Sequence, residues 1–384
     1  MDRIREFIRR ETVLVVAALL AVASCVAGPP DAAYSGYIDW RTLALLFCLM
    51  TVVSGFRALG VLAVCGRRLV ARTSSERGIV FSLVGIVFFA SMAVTNDVAL
   101  ITFTPLALVA LRAAGMEGRT CLVVALMTVA ANLGSMLTPV GNPQNLYLFT
   151  ASGMGVAEFM RMMLPYTAAS AVLLAAFVFA RFRGRAASPR PVPIKKPQMG
   201  EGETDPAPWR AQAGRLALYA ALFCLCLLSV AGVVDVRVTL AAVIAAVALS
   251  DASLFKRVDY ALLLTFVALF VFVGNAARVP AVHDAVAGLV SQSALLAAVG
   301  ASQVISNVPA AVLLSGFSDQ WAALIVGTNL GGLGTLIASM ASLITFKAVS
   351  IGRMGERVRY LKTFTLVNVV FLAVLLGVAS LVGV

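Results

Sequence analysis

Nine apolar runs, most near the ~20 residues that an α-helix needs to cross a bilayer, dominate this chain. They lie at about 12–27, 42–64, 120–149, 163–180, 212–232, 238–251, 260–277, 320–346 and 363–384. Within lipid every backbone N–H and C=O must be paired internally, so these runs predict an all-α polytopic membrane protein. Composition agrees: of 384 residues 61% are hydrophobic and 12% charged, too few charges to coat a soluble globule. The net charge of +12 would suggest nucleic acid in a soluble chain. Here the basic residues form short clusters between apolar runs, which orient helices in a membrane, so a lipid bilayer and no nucleic acid is expected as partner. Cys25, Cys48, Cys65, Cys121, Cys224 and Cys226 show no metal-ligand or disulfide spacing and read as small apolar side chains.

Two further segments, about 78–111 and 284–317, are each split by a polar knot, Thr95-Asn96-Asp97 in one and Ser306-Asn307 in the other. Arms of roughly 14 to 22 residues on either side suit helical hairpins that enter and leave on one face. The positive-inside rule tests this count. With the N-terminus cytoplasmic, the clusters Arg67/Arg68/Arg72/Arg77, Arg112/Arg119, Arg181 to Lys196, Lys256/Arg257 and Lys347 to Lys362 all fall inside. Arg161, Arg237 and Arg278 fall outside, and the C-terminus ends outside the plasma (inner) membrane. Arg3, Arg5, Arg9 and Arg10 before the first run imitate a signal peptide, but the many later runs favour an uncleaved first helix.

The same count opens the first hairpin from the cytoplasm and the second from outside, so two inverted-topology repeats are expected. A polar phrase supports the duplication: Asn132-Leu133-Gly134-Ser135 returns as Asn329-Leu330-Gly331-Gly332, and the offset of 197 also pairs Thr138 with Thr335 and Phe149 with Phe346. Residues 1–181 form the first repeat with its N-terminal helix, 182–210 a cytoplasmic Pro-rich linker, 211–237 a connecting helix and 238–384 the second repeat. In the stretch Thr138-Pro139-Val140-Gly141-Asn142-Pro143-Gln144-Asn145, prolines and a glycine interrupt a membrane helix, and in Gly331 to Ser339 glycines do so. Broken helices at membrane depth offer amides to anions and carbonyls to hard cations such as Na⁺. Close helix packing through small residues is the alternative use of such sequence.

The hairpin tips and the Gly141-Asn142-Pro143-Gln144-Asn145 phrase resemble the ion transporter superfamily, which includes divalent-anion/sodium symporters, citrate transporters, arsenite permeases and a sodium/proton antiporter branch. The resemblance covers nearly the whole chain and is not specific for a substrate. It implies a homodimer whose scaffold carries moving transport domains. Carried over by position, one Na⁺ site would use Thr95, Asn96, Gly141 and Asn142, and the other Ser306, Asn307, Ala338 and Ser339. Asn132, Thr138, Asn145, Asn329 and Thr335 complete the expected substrate and ion site. Two departures stand out: Asp97 and Val308 replace the symporter threonines. An ionised Asp97 would repel a dianion unless Na⁺ or a proton neutralises it, which makes it the candidate coupling residue. It can equally cap its helix.

His283 beside Asp284 reads as a solvated outer loop residue, Arg57 as a snorkelling cation and Arg278 as an outer-loop charge. Asn132 and Asn329 either line the cavity or bond between helices. No Ser/His, metal-binding His/Glu or paired-aspartate pattern at membrane depth supports an enzyme, and no cofactor beyond a coupling Na⁺ or H⁺ is expected. The expected function is secondary active transport of an inorganic or carboxylate anion of the citrate or dicarboxylate kind, coupled to Na⁺ or H⁺. Arsenite permeation, Na⁺/H⁺ antiport and a passive ion channel are the alternatives.

Overall fold

Polar side chains set the starts of the main helices. Asp39 accepts from the Thr42 amide (3.0 Å) and Asp259 from the Leu262 amide (2.9 Å), so the two long helices after them begin with the same cap. The computed structural model describes residues 7–8, 11–26, 28–31, 34–73, 75–182, 212–349 and 354–383. Its helices are α1 (Thr12–Ser24), α2 (Trp40–Ala58), α3 (Val61–Ala71), α4 (Glu76–Val94), α5 (Asn96–Ala113), α6 (Thr120–Ser135), α7 (Pro143–Ser152) and α8 (Val156–Arg181). Then follow α9 (Ala213–Val230), α10 (Val236–Asp251), α11 (Tyr260–Ala276), α12 (Pro280–Gln292), α13 (Ala294–Ile305), α14 (Asn307–Ser315), α15 (Trp321–Leu330), α16 (Met340–Val349) and α17 (Met354–Val382). Among the described residues, eight helical stretches are long and apolar enough to cross a membrane. The expected linker lies outside the described residues except for its first position, Phe182.

With the short helical turns Tyr34–Tyr37, Glu117–Arg119 and Ala252–Arg257 set aside, eight helices on either side of α9 can be set against each other in order, α1 to α8 and α10 to α17, as the two copies expected from the sequence. Packing is exchanged between the copies. Helix α1 packs on α11 while α10 packs on α2; α5 packs on α16 while α14 packs on α7; α6 meets α16 while α15 meets α7. Within each copy the first hairpin arm lies along the first half of the broken helix, α4 on α6 and α13 on α15. Glycine allows that approach. A Cβ on Gly134 would stand 2.0 Å from the Phe88 carbonyl oxygen, and one on Gly331, its partner at the 197-residue offset, 2.7 Å from Ser302 Cβ.

Two expected segments divide differently. The run 42–64 is two helices, because α2 ends at Ala58 and Gly60 turns the chain in the left-handed region (φ +66°) before α3. The second hairpin begins later than 284: Pro280 starts α12, bent 106° from α11, and Ser293 then caps a new helix by accepting from the Leu296 amide. The true arms, α13 and α14, have 12 and 9 residues. At 1.5 Å per residue neither reaches across a bilayer, so this hairpin is re-entrant. His283 falls on α12 rather than in a loop, with its side chain 48% exposed beside Asp284.

Candidate functional site

Both hairpins turn on one residue each, and in the same conformation. Thr95 (φ 72°, ψ 151°) and Ser306 (φ 75°, ψ 156°) are the only non-glycine residues with positive φ among those described. That region of backbone space costs about 1–3 kcal/mol for a residue with a Cβ. Its effect is to leave the next amide pointing away from the preceding arm: Asn96 N–H donates to the Gly141 carbonyl (3.2 Å) and Asn307 N–H to the Ala338 carbonyl (3.0 Å). Gly141 and Ala338 are partners at the same 197-residue offset, so each tip is stitched to the break of its own copy in the same way. Each stitch has a second thread. The Thr138 hydroxyl donates to the Met92 carbonyl and the Thr335 hydroxyl to the Gln303 carbonyl (3.0 Å).

Side-chain amides then join the two copies. Asn132 Oδ1 accepts from Asn96 Nδ2 (3.0 Å) and from the Ser339 hydroxyl (3.0 Å), and Asn132 Nδ2 donates to the Gly332 carbonyl (3.1 Å). Asn329 mirrors it: Oδ1 accepts from Asn142 Nδ2 (3.2 Å), and Nδ2 donates to Asn145 Oδ1 (2.5 Å). Asn145 Nδ2 faces three carbonyls of the first break, those of Ser135, Met136 and Thr138, at 3.3 to 3.4 Å. In the second copy that service comes from the hairpin instead, with Gln303 Nε2 donating to the carbonyls of Gly331 (2.8 Å) and Leu333 (2.9 Å). Asn132 and Asn329 therefore act between helices. Such bonds average only about 0.6 kcal/mol each in membrane proteins. Their number fixes geometry more than stability.

A narrow pocket, with only ≈ 10 Å³ of room for the centre of a water molecule, opens where the four polar segments meet, lined by Asn96, Asp97, Pro143, Gln144, Leu262, Asn307, Val308, Ser339 and Met340. Four helices begin there: α5 at Asn96, α7 at Pro143, α14 at Asn307 and α16 at Met340. Each N-terminus brings a positive dipole end, although the Asn96, Asp97, Asn145 and Asn307 amides there already have partners. No Lys or Arg lines the pocket, and Asp97 is its one ionisable side chain. Asp97 also sits in the first turn of α5, where its own amide donates to Asn96 Oδ1 (2.9 Å).

Of the residues expected at the site, Asn96, Asp97, Asn132, Asn142, Asn145, Asn307, Asn329 and Ser339 come together in this network or pocket. Thr95, Ser306, Gly141 and Ala338 form its backbone stitches. Thr138 and Thr335 stand apart: Thr138 faces a second, apolar cavity with Met92 and Phe223, and Thr335 is exposed. Their hydroxyls are spent on hairpin carbonyls. Gln144 and Gln303 were not singled out by the sequence. Gln144 stands within the broken-helix phrase, which was the available signal, whereas Gln303 corresponds to Met92 and left none.

Known proteins resemble this chain. Residues 3–320 match the model of the citrate transporter family. An uncharacterised transporter of Methanocaldococcus jannaschii is 32% identical over 314 residues, 81% of each chain. The inner membrane protein YbiR of Escherichia coli is 31% identical over 325 residues, 83% of this chain and 82% of YbiR. The silicon efflux transporter LSI3 of rice is 30% identical, but over only 35% of this chain and 27% of its own. Among solved structures, the YdaH transporter of Alcanivorax borkumensis superposes with a TM-score of 0.59 over 96% of this chain and 97% of its own, at 17% identity, so what it shares is the fold. This chain is an integral membrane transporter that belongs to the citrate transporter family.

Proposed function

We propose that the chain is a secondary active transporter that binds a small carboxylate or inorganic anion in the central pocket and moves it with Na⁺ or H⁺. The observation that carries this reading is the convergence of four helix N-termini on one pocket with no basic side chain. At about +0.5 charge per terminus, the four ends together present about +2. Asp97 subtracts one. The ionised site thus balances a monoanion, and a Na⁺ or proton on Asp97 restores the balance for a dianion such as a dicarboxylate. Coupling follows from charge: the second negative charge enters only with a cation. As part of the same reading, the chain works as a homodimer, with its N-terminus in the cytoplasm and its C-terminus outside.

A second reading is favoured by Asp97, an acidic group where an anion clamp would have a hydroxyl. It makes the protein an arsenite permease or a Na⁺/H⁺ antiporter, and the partial match to a silicon efflux transporter suits the transport of weak oxyacids. Uptake into liposomes by the purified protein, with citrate, succinate, sulfate or arsenite under imposed Na⁺ or pH gradients, separates the readings. Gradient-driven accumulation of an anion is expected, and Asp97→Asn should reduce the response to the gradient at least tenfold. Collapse of a pH gradient on adding Na⁺ without anion movement would favour the antiporter. Equilibration without uphill accumulation would mean a channel.

A further inference from the structure

Three polar side chains of the pocket, those of Asp97, Gln144 and Asn307, keep at least one atom without a partner among the described residues. Asp97 Oδ1 is buried and makes no hydrogen bond among the described residues. Gln144 is 2% exposed and lines the same pocket, and its side chain makes no hydrogen bond among the described residues. Asn307 accepts from the Ser306 hydroxyl (3.4 Å) and leaves its Nδ2 unused, whereas Asn96 uses both ends of its side chain, on Asn132 and on the Asp97 amide, and the Ser339 hydroxyl donates to Asn132. Leaving a buried polar group unpaired is costly. The fold itself does not require polarity at these positions, because the second copy has Val308 and Ala341 there, both buried.

We infer that the pocket selects small oxyacids or hydroxy acids that present at least one O–H, donated to the Asp97 carboxylate, and that Gln144 is a specificity-determining residue for that group. The inference rests on the pocket being the substrate site. An ionised carboxylate only accepts hydrogen bonds, so it welcomes an alcohol or acid O–H and repels a bare anionic oxygen. Gln144, at the second position of α7, offers both a donor and an acceptor, which matches a group that has a proton and lone pairs on one oxygen. The substrate's remaining negative oxygens then face the helix N-termini.

Matched ligands differing in one O–H test this: citrate against tricarballylate, malate against succinate, and hydrogen phosphate against sulfate. Their binding to the purified full-length protein is read by thermal shift, and uptake into liposomes is read in parallel. For any pair that binds, the O–H member should bind at least tenfold more tightly to the wild type. Gln144→Ala, which copies the residue tolerated at 341, should narrow the gap to within threefold while leaving the melting temperature of the unliganded protein unchanged. Equal binding of both members of a pair by the wild type, or undiminished discrimination in the variant, overturns the inference and leaves the pocket's role as substrate site standing. No binding of any of the six compounds overturns both.

Discussion

Asparagine does most of the joining at the centre of this molecule. Asn96, Asn132, Asn142, Asn145 and Asn329 are each 4% exposed or less, and together they tie the first hairpin tip and the two helix breaks into one network. They were legible in the sequence because an amide is expensive in apolar surroundings and the phrase around Asn132 recurs at Asn329. What each amide touches was not legible, since that depends on which copy faces which. Gly141, like Gly134, leaves no room for a side chain: a Cβ there would lie 2.0 Å from the Ser135 carbonyl oxygen. Gly141→Ala should therefore lower stability by about 1–3 kcal/mol, the usual cost of overpacking, and shift the stitched α5 tip enough to abolish uptake. Thermal unfolding in detergent and liposome uptake check the two effects, and wild-type values for both would show that the tip does not depend on this approach.

The elements differ from the sequence reading where a local turn or cap outweighed apolar continuity. Hydrophobicity alone carries 42–64 as one crossing, yet Gly60 ends α2 and starts α3. Likewise Pro280 and Ser293 carve α12 away from the second hairpin and leave arms of 12 and 9 residues. The two breaks, by contrast, were readable from Pro139, Gly141 and Pro143 in one copy and Gly331, Gly332 and Gly334 in the other. Their support is unequal: Asn145 holds the first break from within its own broken helix, whereas Gln303 holds the second from the hairpin. Gln303→Leu should leave the Gly331 and Leu333 carbonyls and the Thr335 amide without this partner, at about 1–3 kcal/mol per unsatisfied group. The equivalent Met92→Leu should be near neutral, because Met92 contributes only its backbone carbonyl. Melting temperatures of the two variants measure the contrast, and equal losses would argue against a clamp at Gln303.

At the scale of the whole molecule, the exchanged packing of α1 on α11 and α10 on α2, and of α5 on α16 and α14 on α7, makes each copy incomplete without the other. One buried contact lends itself to a direct check: the Thr128 hydroxyl on α6 donates to that of Thr345 on α16 (2.9 Å), with Tyr360 bonded to the same oxygen. In a background without the six native cysteines, Thr128→Cys with Thr345→Cys should cross-link under mild oxidant. A protease site inserted at 183–211 should then yield one band on a denaturing gel rather than two. Two fragments would place the copies apart. The central claim is that both copies build one substrate site, and gradient-driven uptake by Asn96→Ala and Asn307→Ala, measured side by side with the wild type, tests it most directly. Each single substitution is expected to reduce accumulation at least tenfold while the protein remains folded. Wild-type accumulation by either folded variant would mean that one tip plays no part in the site, which contradicts the claim.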